Sequence, residues 1–348
     1  MTYKVLVSDK LADSGLEVLH KAEGVEVTVK TGLSEDELCA IIGEFHGLVI
    51  RSGTKVTAKV LDAAEELKAI GRAGIGVDNV DLAAASKKGV VVMNTPFGNA
   101  VTTAEHALSL LDALCRQIPD ATASMKAGKW EKKKFMGREK WGKTLGLVGL
   151  GNIGKIVADR ARGLHMRVIA TDPVLSKDEA ENLDVELVTF DELLGRADFV
   201  SIHAPLVSGT KHLFDAAAFG KMKPTALLVN AARGGIVDEQ ALAAALKDGK
   251  LAGAALDVFE TEPPAADHPL FALDNVVLTP HLGASTHEAQ ERVGVEICEQ
   301  MVEYLKHGKV TNGVNVPALG DDAAERVGPV IEVAQRLGAL LGQLADKP

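Results

Sequence analysis

The sequence predicts an α/β protein built on two doubly wound parallel sheets. Strand-like apolar runs alternate with helix-like stretches almost from end to end, the pattern of parallel sheets covered by helices on both faces. Aromatic residues make up only 4% of a chain that is 47% hydrophobic. The cores must therefore be built from Val, Leu, Ile and Ala, which suits buried parallel strands. At 348 residues there is room for two domains of about 100–200 residues each.

In the first half, Lys4 to Ser8, Val25 to Val29, Gly47 to Ile50, Leu67 to Gly71 and Val90 to Val92 read as strands. Helices are expected over Gly15 to Ala22 and from the cap Ser34 through Ile42. Thr95-Pro96-Phe97-Gly98-Asn99 interrupts the alternation, and a long helix is expected over Thr102 to Gln117, ended by Pro119. Six further strands follow: Thr144 to Val148, Val168 to Thr171, Phe199 to His203, Ala226 to Asn230, Gly253 to Leu256 and Val276 to Leu278. A second long helix, about Thr286 to His307, would return the chain to the first domain. The expected organisation is a discontinuous substrate-binding domain, residues 1–98 and 286–320, with a cofactor-binding domain over 99–285 inserted in it. A helical tail is expected over 321–348.

Gly149-Leu150-Gly151-Asn152-Ile153-Gly154 stands between the apolar run Leu145 to Val148 and a helix-like segment from Ile153 to Leu164. A second apolar run then ends at Asp172. This strand, glycine turn, helix, strand, acid order is that of a dinucleotide-binding Rossmann domain. Gly149 permits the tight turn, Gly151 lets a pyrophosphate approach the backbone, and Gly154 lets helix and strand pack closely. The phosphates would rest on free N–H groups at the helix start, where the dipole favours negative charge. Asp172 can accept ribose hydroxyls and would repel a 2′-phosphate, and the following Pro173 and Val174 offer it no arginine. NAD is therefore expected rather than NADP.

The formal charge of −10 argues against nucleic-acid binding, which needs a basic surface. It leaves room for an anionic metabolite in a locally basic pocket. Cys39, Cys115 and Cys298 form no CxxC or Cys/His pattern, so no metal site is expected and a reducing compartment is indicated. Met1 leads directly into a strand, and no apolar run reaches 18 residues. No leader or membrane span is expected, and the cytoplasm is the default location.

Arg233, Glu262 and His281 each lie where the chain leaves a strand of the second sheet. Ligands of open α/β sheets bind at those carboxyl ends, so the three are candidates to line one cleft. Their types suit hydride exchange between a 2-hydroxy acid and its keto acid. Histidine can carry the hydroxyl proton both ways near neutral pH. A carboxylate beside an imidazole fixes its tautomer and stabilises the imidazolium. Arginine grips a substrate carboxylate with a forked pair of bonds. Spacing alone does not show that the three converge.

The chain resembles the D-2-hydroxyacid dehydrogenases. The resemblance rests on Gly71-Arg72-Ala73-Gly74-Ile75-Gly76-Val77-Asp78-Asn79-Val80-Asp81, on Val92 to Pro96, on Gly128 to Gly137, on Ala232 to Glu239 and on Pro280 to Thr286. These stretches span about residues 3 to 317. The resemblance implies a Rossmann NAD-binding domain inserted in a flavodoxin-like substrate domain. It implies Arg233, Glu262 and His281 as the catalytic trio. Beyond the glycines Gly149, Gly151 and Gly154 read above, it implies NAD contacts at Asn152, Ile153, Asp172, Ala231, Ala232, Arg233, Asp257, His281, Leu282, Gly283 and Ala284. The implied reaction is NAD-dependent oxidation of 3-phospho-D-glycerate in serine synthesis; reduction of glyoxylate or hydroxypyruvate on the same scaffold is the alternative. A homodimer or higher homo-oligomer built partly on Thr102 to Arg138 is implied as well. Formate oxidation is disfavoured, because that branch pairs its histidine with Gln rather than an acid such as Glu262. A nucleotide-sensing corepressor on this fold would need a partner groove or disordered arms, for which the sequence gives no sign.

Two departures stand out. Ile75 and Ala204 replace threonines that touch the cofactor in many relatives. Long relatives continue into further carboxy-terminal domains, one of them serine-sensing, whereas this chain ends at Pro348; feedback by serine is not expected of it.

A phosphorylated acid needs a second cationic subsite. Arg51-Ser52 and Arg72 follow strands of the first sheet, and an arginine beside a small hydroxyl suits phosphate. The resemblance places Arg51, Ser52 and Arg72 on the substrate side, together with Arg233 and His281. Asn99 either bonds the substrate or caps the long helix. Lys132-Lys133-Lys134, beside Trp130 and Phe135, reads as a solvated run or as part of a phosphate pocket.

Overall fold

The structure, a computed structural model, describes residues 2–316 and, beyond them, residues 330, 333, 334, 336–338 and 341. Most of the expected helical tail lies outside the described residues. The chain divides into two compact units, Met1–Thr95 with Gly294–Pro348, and Pro96–Val293.

Unit 1 runs β1 (Tyr3–Val7), α1 (Asp13–Lys21), β2 (Val25–Val29), α2 (Glu35–Ile41), β3 (Gly47–Ile50), α3 (Ala58–Ala63), β4 (Ala69–Arg72), α4 (Leu82–Lys88) and β5 (Val91–Asn94). Its five strands are all parallel, in the order β2-β1-β3-β4-β5, the flavodoxin-like winding. Alternate strand residues serve opposite faces. Leu6, Leu48, Ile50, Ile70 and Val92 join one core cluster with Leu38, Ile42 and Phe45. The other face lies against Ile297 and Met301 of a later helix. There Gly47 and Gly71 make room, since a Cβ on them would come within 2.7 Å of the Met301 sulfur and 2.8 Å of Ile297. Ser34 caps α2 with a reciprocal box to Glu37, an arrangement worth about 1 kcal/mol.

Unit 2 begins with α5 (Ala100–Arg116) and α6 (Ile118–Lys126). It continues through β6 (Thr144–Val148), α7 (Asn152–Gly163), β7 (Arg167–Thr171), α8 (Lys177–Asn182), β8 (Glu186–Leu187), α9 (Phe190–Arg196) and β9 (Phe199–Ile202). Then follow α10 (Ala216–Lys221), β10 (Leu227–Asn230), α11 (Glu239–Lys247), β11 (Gly253–Leu256), a 3-10 turn (Pro269–Ala272), β12 (Val276–Leu278) and α12 (His287–His307), which carries the chain back into unit 1. The parallel order is β12-β11-β10-β9-β6-β7-β8. The winding reverses at β6, so the crevice between the ends of β6 and β9 is the topological switch point of a Rossmann sheet. Leu145, Leu147, Phe199 and Val229 pack on one face, and Val148, Val200, Ile202 and Leu228 on the other.

Two expectations are corrected. The second sheet has seven strands, not six; β8 is a two-residue edge strand, too short to leave a pattern. Pro119 does not mark the end of helical structure. Gln117 takes a left-handed conformation, φ 51°, and Pro119 sits in the first turn of α6, where its missing N–H costs nothing. Among the described residues no helix is long and apolar enough to cross a membrane.

Candidate active site

The glycine turn leaves β6 at the switch point. Gly149 has φ 93°, and a Cβ there would come within 2.7 Å of the His203 carbonyl oxygen. A Cβ on Gly154 would overlap the carbonyl oxygen of Gly149, whereas one on Gly151 would meet nothing within 4 Å. Gly149 and Gly154 are thus required by the protein's own packing. Gly151 is not, and its bare backbone faces open space at the start of α7. That is the geometry a pyrophosphate needs. Asn152 and Ile153 form the first turn of that helix. The Asn152 amide donates to the Pro96 carbonyl at 3.3 Å.

Asp172 ends β7. Its Oδ2 accepts the Leu150 N–H at 2.8 Å, and Oδ1 accepts those of Val174 and Leu175 at 2.9 and 3.1 Å. Partial burial opposes ionisation, but these three donors outweigh it and hold the carboxyl below its usual range. The acid is anionic, braces the glycine turn, and keeps acceptor capacity on Oδ2.

The three catalytic candidates leave three adjacent strands, β10, β11 and β12. Asn230, the buried last residue of β10, accepts the Ala232 N–H at 3.1 Å and donates to the Arg233 carbonyl at 2.9 Å, shaping Ala231 to Arg233. Arg233 Nη1 donates to the Ala232 carbonyl at 2.7 Å. Gly234 permits close approach to the β11 loop, because a Cβ there would overlap the Phe259 carbonyl. In that loop Glu262 Oε1 accepts the Phe259 N–H at 3.0 Å, and Oε2 lies 2.7 Å from Nδ1 of His281. His281 follows β12 with φ 54°. Its ring remains half exposed, at 49%, and so is accessible to a small molecule.

Asp257, fully buried, organises the His281 loop. Its carbonyl accepts the His281 N–H at 2.8 Å. Its carboxylate accepts the Leu282 and Gly283 N–H groups at 2.7 and 2.8 Å and the Thr279 hydroxyl at 2.6 Å. His106 of α5 adds its Nε2 at 3.1 Å. Burial penalises this charge, yet the bonds from His106, Thr279 and Leu282 keep the carboxyl below its ordinary range. Ala284 follows directly. Thr103 Oγ1 ties the Gly283 carbonyl to α5 at 3.0 Å. His106, Thr103 and Thr279 are site-building residues that the sequence reading missed, and nothing local in the sequence marks them.

In unit 1, Arg51 and Ser52 follow β3, and Arg72 ends β4. Asp9 shapes the first loop by accepting the Arg51 and Thr54 N–H groups at 2.6 and 3.0 Å. The Asn79 amide donates to the carbonyls of Arg51 and Thr54, each at 2.7 Å. The Arg72 guanidinium folds over Gly74, whose φ is 138°, and Nη1 donates to the Ala73 carbonyl at 3.3 Å. In unit 2, Asn99 stands at the start of α5 but makes no side-chain cap bond. Its buried Oδ1 has no hydrogen-bond partner among the described residues. Lys132 to Lys134 are exposed.

Residues 108–283 match the family model described as D-isomer specific 2-hydroxyacid dehydrogenase, NAD binding domain. The chain belongs to this family, and unit 2 is its NAD-binding domain. It is 49% identical over 337 residues to D-3-phosphoglycerate dehydrogenase of Archaeoglobus fulgidus, covering 97% of this chain and 64% of that protein. With D-3-phosphoglycerate dehydrogenase of Homo sapiens it shares 47% over 345 residues, 99% of this chain and 64% of that one. The chain thus spans less than two thirds of the length of these curated relatives. A crystal structure of a protein from Thermus thermophilus superposes with a TM-score of 0.83 at 37% identity, covering 89% of this chain and 99% of that one.

Proposed function

We propose that the chain oxidises 3-phospho-D-glycerate to 3-phosphohydroxypyruvate with NAD, the first step of serine synthesis. The carrying observation is the bond between His281 and Glu262 on the NAD-binding unit, in a chain 46–49% identical to relatives named D-3-phosphoglycerate dehydrogenase. NAD, when bound, would supply the hydride acceptor for the carbon that carries the hydroxyl. The residues from Gly149 to Gly154 and Asp172 would hold its pyrophosphate and ribose, and Ala231, Ala232 and the loop from His281 to Ala284 would serve the nicotinamide end.

His281 receives the hydroxyl proton on Nε2 while Nδ1 stays bonded to Glu262, so the imidazolium that forms has its counter-charge in place. Arg233 binds the substrate carboxylate through its guanidinium. Arg51, Ser52 and Arg72 supply the cationic and hydroxyl groups that a phosphate requires. The experiment is a substrate panel followed by NADH absorbance, with and without a phosphate on the acid, in wild type and Arg51→Ala. The variant should weaken phosphorylated substrates far more than unphosphorylated ones. Equal losses reject the phosphate subsite, and a wild type that prefers glyoxylate or hydroxypyruvate installs the alternative reaction.

The protein acts as a homo-oligomer in this reading. Trp130, Met136 and Trp141 are 80%, 77% and 71% exposed, and Ile118 and Met125, earlier in the same stretch of chain, are exposed as well. Large apolar side chains left exposed in one stretch of chain suit an interface. A monomer in sedimentation velocity would refute it. Three free cysteines suit a cytoplasmic location.

A further inference from the structure

The loop that carries Glu262 is held from behind by a second histidine–carboxylate pair, Glu239 and His268, which the proposed chemistry does not use. Glu239 opens α11 immediately after its cap, Asp238. Both side chains are 10% exposed. Glu239 Oε2 lies 2.8 Å from Nε2 of His268, and Oε1 accepts the backbone N–H of Glu260 at 2.7 Å. On the far side of the ring, Nδ1 accepts the Leu270 N–H at 3.4 Å. A ring nitrogen that accepts carries no proton. In the neutral ring this arrangement puts the proton on Nε2, where it is donated to Glu239. Phe259 meets the ring edge-on, with centroids 5.6 Å apart, and Phe271 lies 5.3 Å away, which makes an apolar wall. The nearby Glu260 side chain is turned to His212, 3.1 Å from its Nε2.

A buried carboxylate is costly unless its oxygens are used. Here one oxygen is spent on His268 and the other on the turn that bears Glu262. That turn is closed by the bond from the Phe259 N–H to Glu262 Oε1, which leaves Oε2 for His281. Any rotation of the turn moves the oxygen that faces the imidazole.

We propose that Glu239 and His268 are positioning residues for Glu262, fixing the 259–262 turn and with it the direction in which the carboxylate meets His281. The proposal rests on the reading of Glu262 and His281 as the acid–base pair. Glu239→Gln leaves one acceptor for two donors, so either the Glu260 N–H or the His268 Nε2–H faces an amide NH2. His268→Gln can still donate from the place of Nε2, whereas His268→Asn keeps only an acceptor near Nδ1.

The test is steady-state kinetics on the full chain in a double-mutant cycle with Glu262→Gln. Glu239→Gln should lower kcat by roughly 10- to 100-fold, the scale of a misplaced catalytic group, with the KM values for NAD and hydroxy acid little changed. In the Glu262→Gln background it should cost nothing further, since residues acting through one another are not additive. His268→Gln should retain most of the activity that His268→Asn loses. If Glu262→Gln itself leaves kcat intact, the acid–base reading fails. If Glu262→Gln is impaired but Glu239→Gln multiplies the loss independently, or raises KM in step, the positioning role alone is overturned. Should Glu239→Gln not fold, the two His268 variants decide, and equal losses overturn the proposal.

Discussion

Nδ1 of His281 lies 2.7 Å from Oε2 of Glu262, and the other oxygen of that carboxylate is engaged by the Phe259 N–H at 3.0 Å. The bond commits one ring nitrogen to the protein, and in the proposed reaction Nε2 is the atom that meets the substrate. His281→Ala should lower turnover by ~10²–10⁴, the usual worth of general acid–base catalysis. NADH affinity, measured by fluorescence titration, should stay close to wild type. Unchanged turnover removes His281 from the mechanism.

His203, at the end of β9 beside the glycine turn, gives the fold a pH dependence of defined sign. Burial pushes its pKa down from 6.5 to about 4. Its Nε2 lies 2.9 Å from the Ser201 hydroxyl, and Nδ1 has no partner among the described residues. Between those two pKa values the unfolded chain binds a proton that the native ring refuses, so stability rises with pH across the window and is lost as pH falls through it. His203→Gln should flatten this slope. Urea midpoints at pH 7 and pH 5 check it; an equal drop in both proteins would show that other groups set the acid response.

The sequence made legible those features that a single residue dictates through its own geometry. Gly149 and Gly154 are required by positive φ and close approach, and Asp172 by its place at the end of β7. The strand ends carrying Arg233, Glu262 and His281 were legible from apolar runs. The contacts of those side chains were not. Asp257 meets His106 from α5, far earlier in the chain, and no periodicity encodes such a pairing. Pro119 was misread because proline stops one helix and starts another equally well; the φ of 51° at Gln117 decides between them.

Gly74 and Arg72 test the phosphate subsite without touching a charge. A Cβ on Gly74 would overlap the Arg72 guanidinium, and its φ of 138° disfavours any side chain. Gly74→Ala should displace Arg72 and raise KM for the phosphorylated acid more than for glycerate. The backbone strain should cost ~1–3 kcal/mol of stability. Identical KM changes for both acids would show that Arg72 does not read the phosphate.

Gly151 and Gly154 stand three residues apart and should fail in opposite ways. Gly151 has φ −73° and open space where a Cβ would go, so Gly151→Ala should leave the denaturation midpoint unchanged. The added methyl would stand where the backbone must approach the pyrophosphate, and NADH affinity should fall. Gly154→Ala drives a methyl into the Gly149 carbonyl, forcing α7 away from β6 at a cost of ~1–3 kcal/mol, as overpacking does. Its NADH affinity should fall only as far as the turn is displaced. Thermal denaturation and NADH titration on both variants separate the two effects. A Gly151→Ala protein that binds NADH like wild type would mean that the phosphates do not lie on the start of α7.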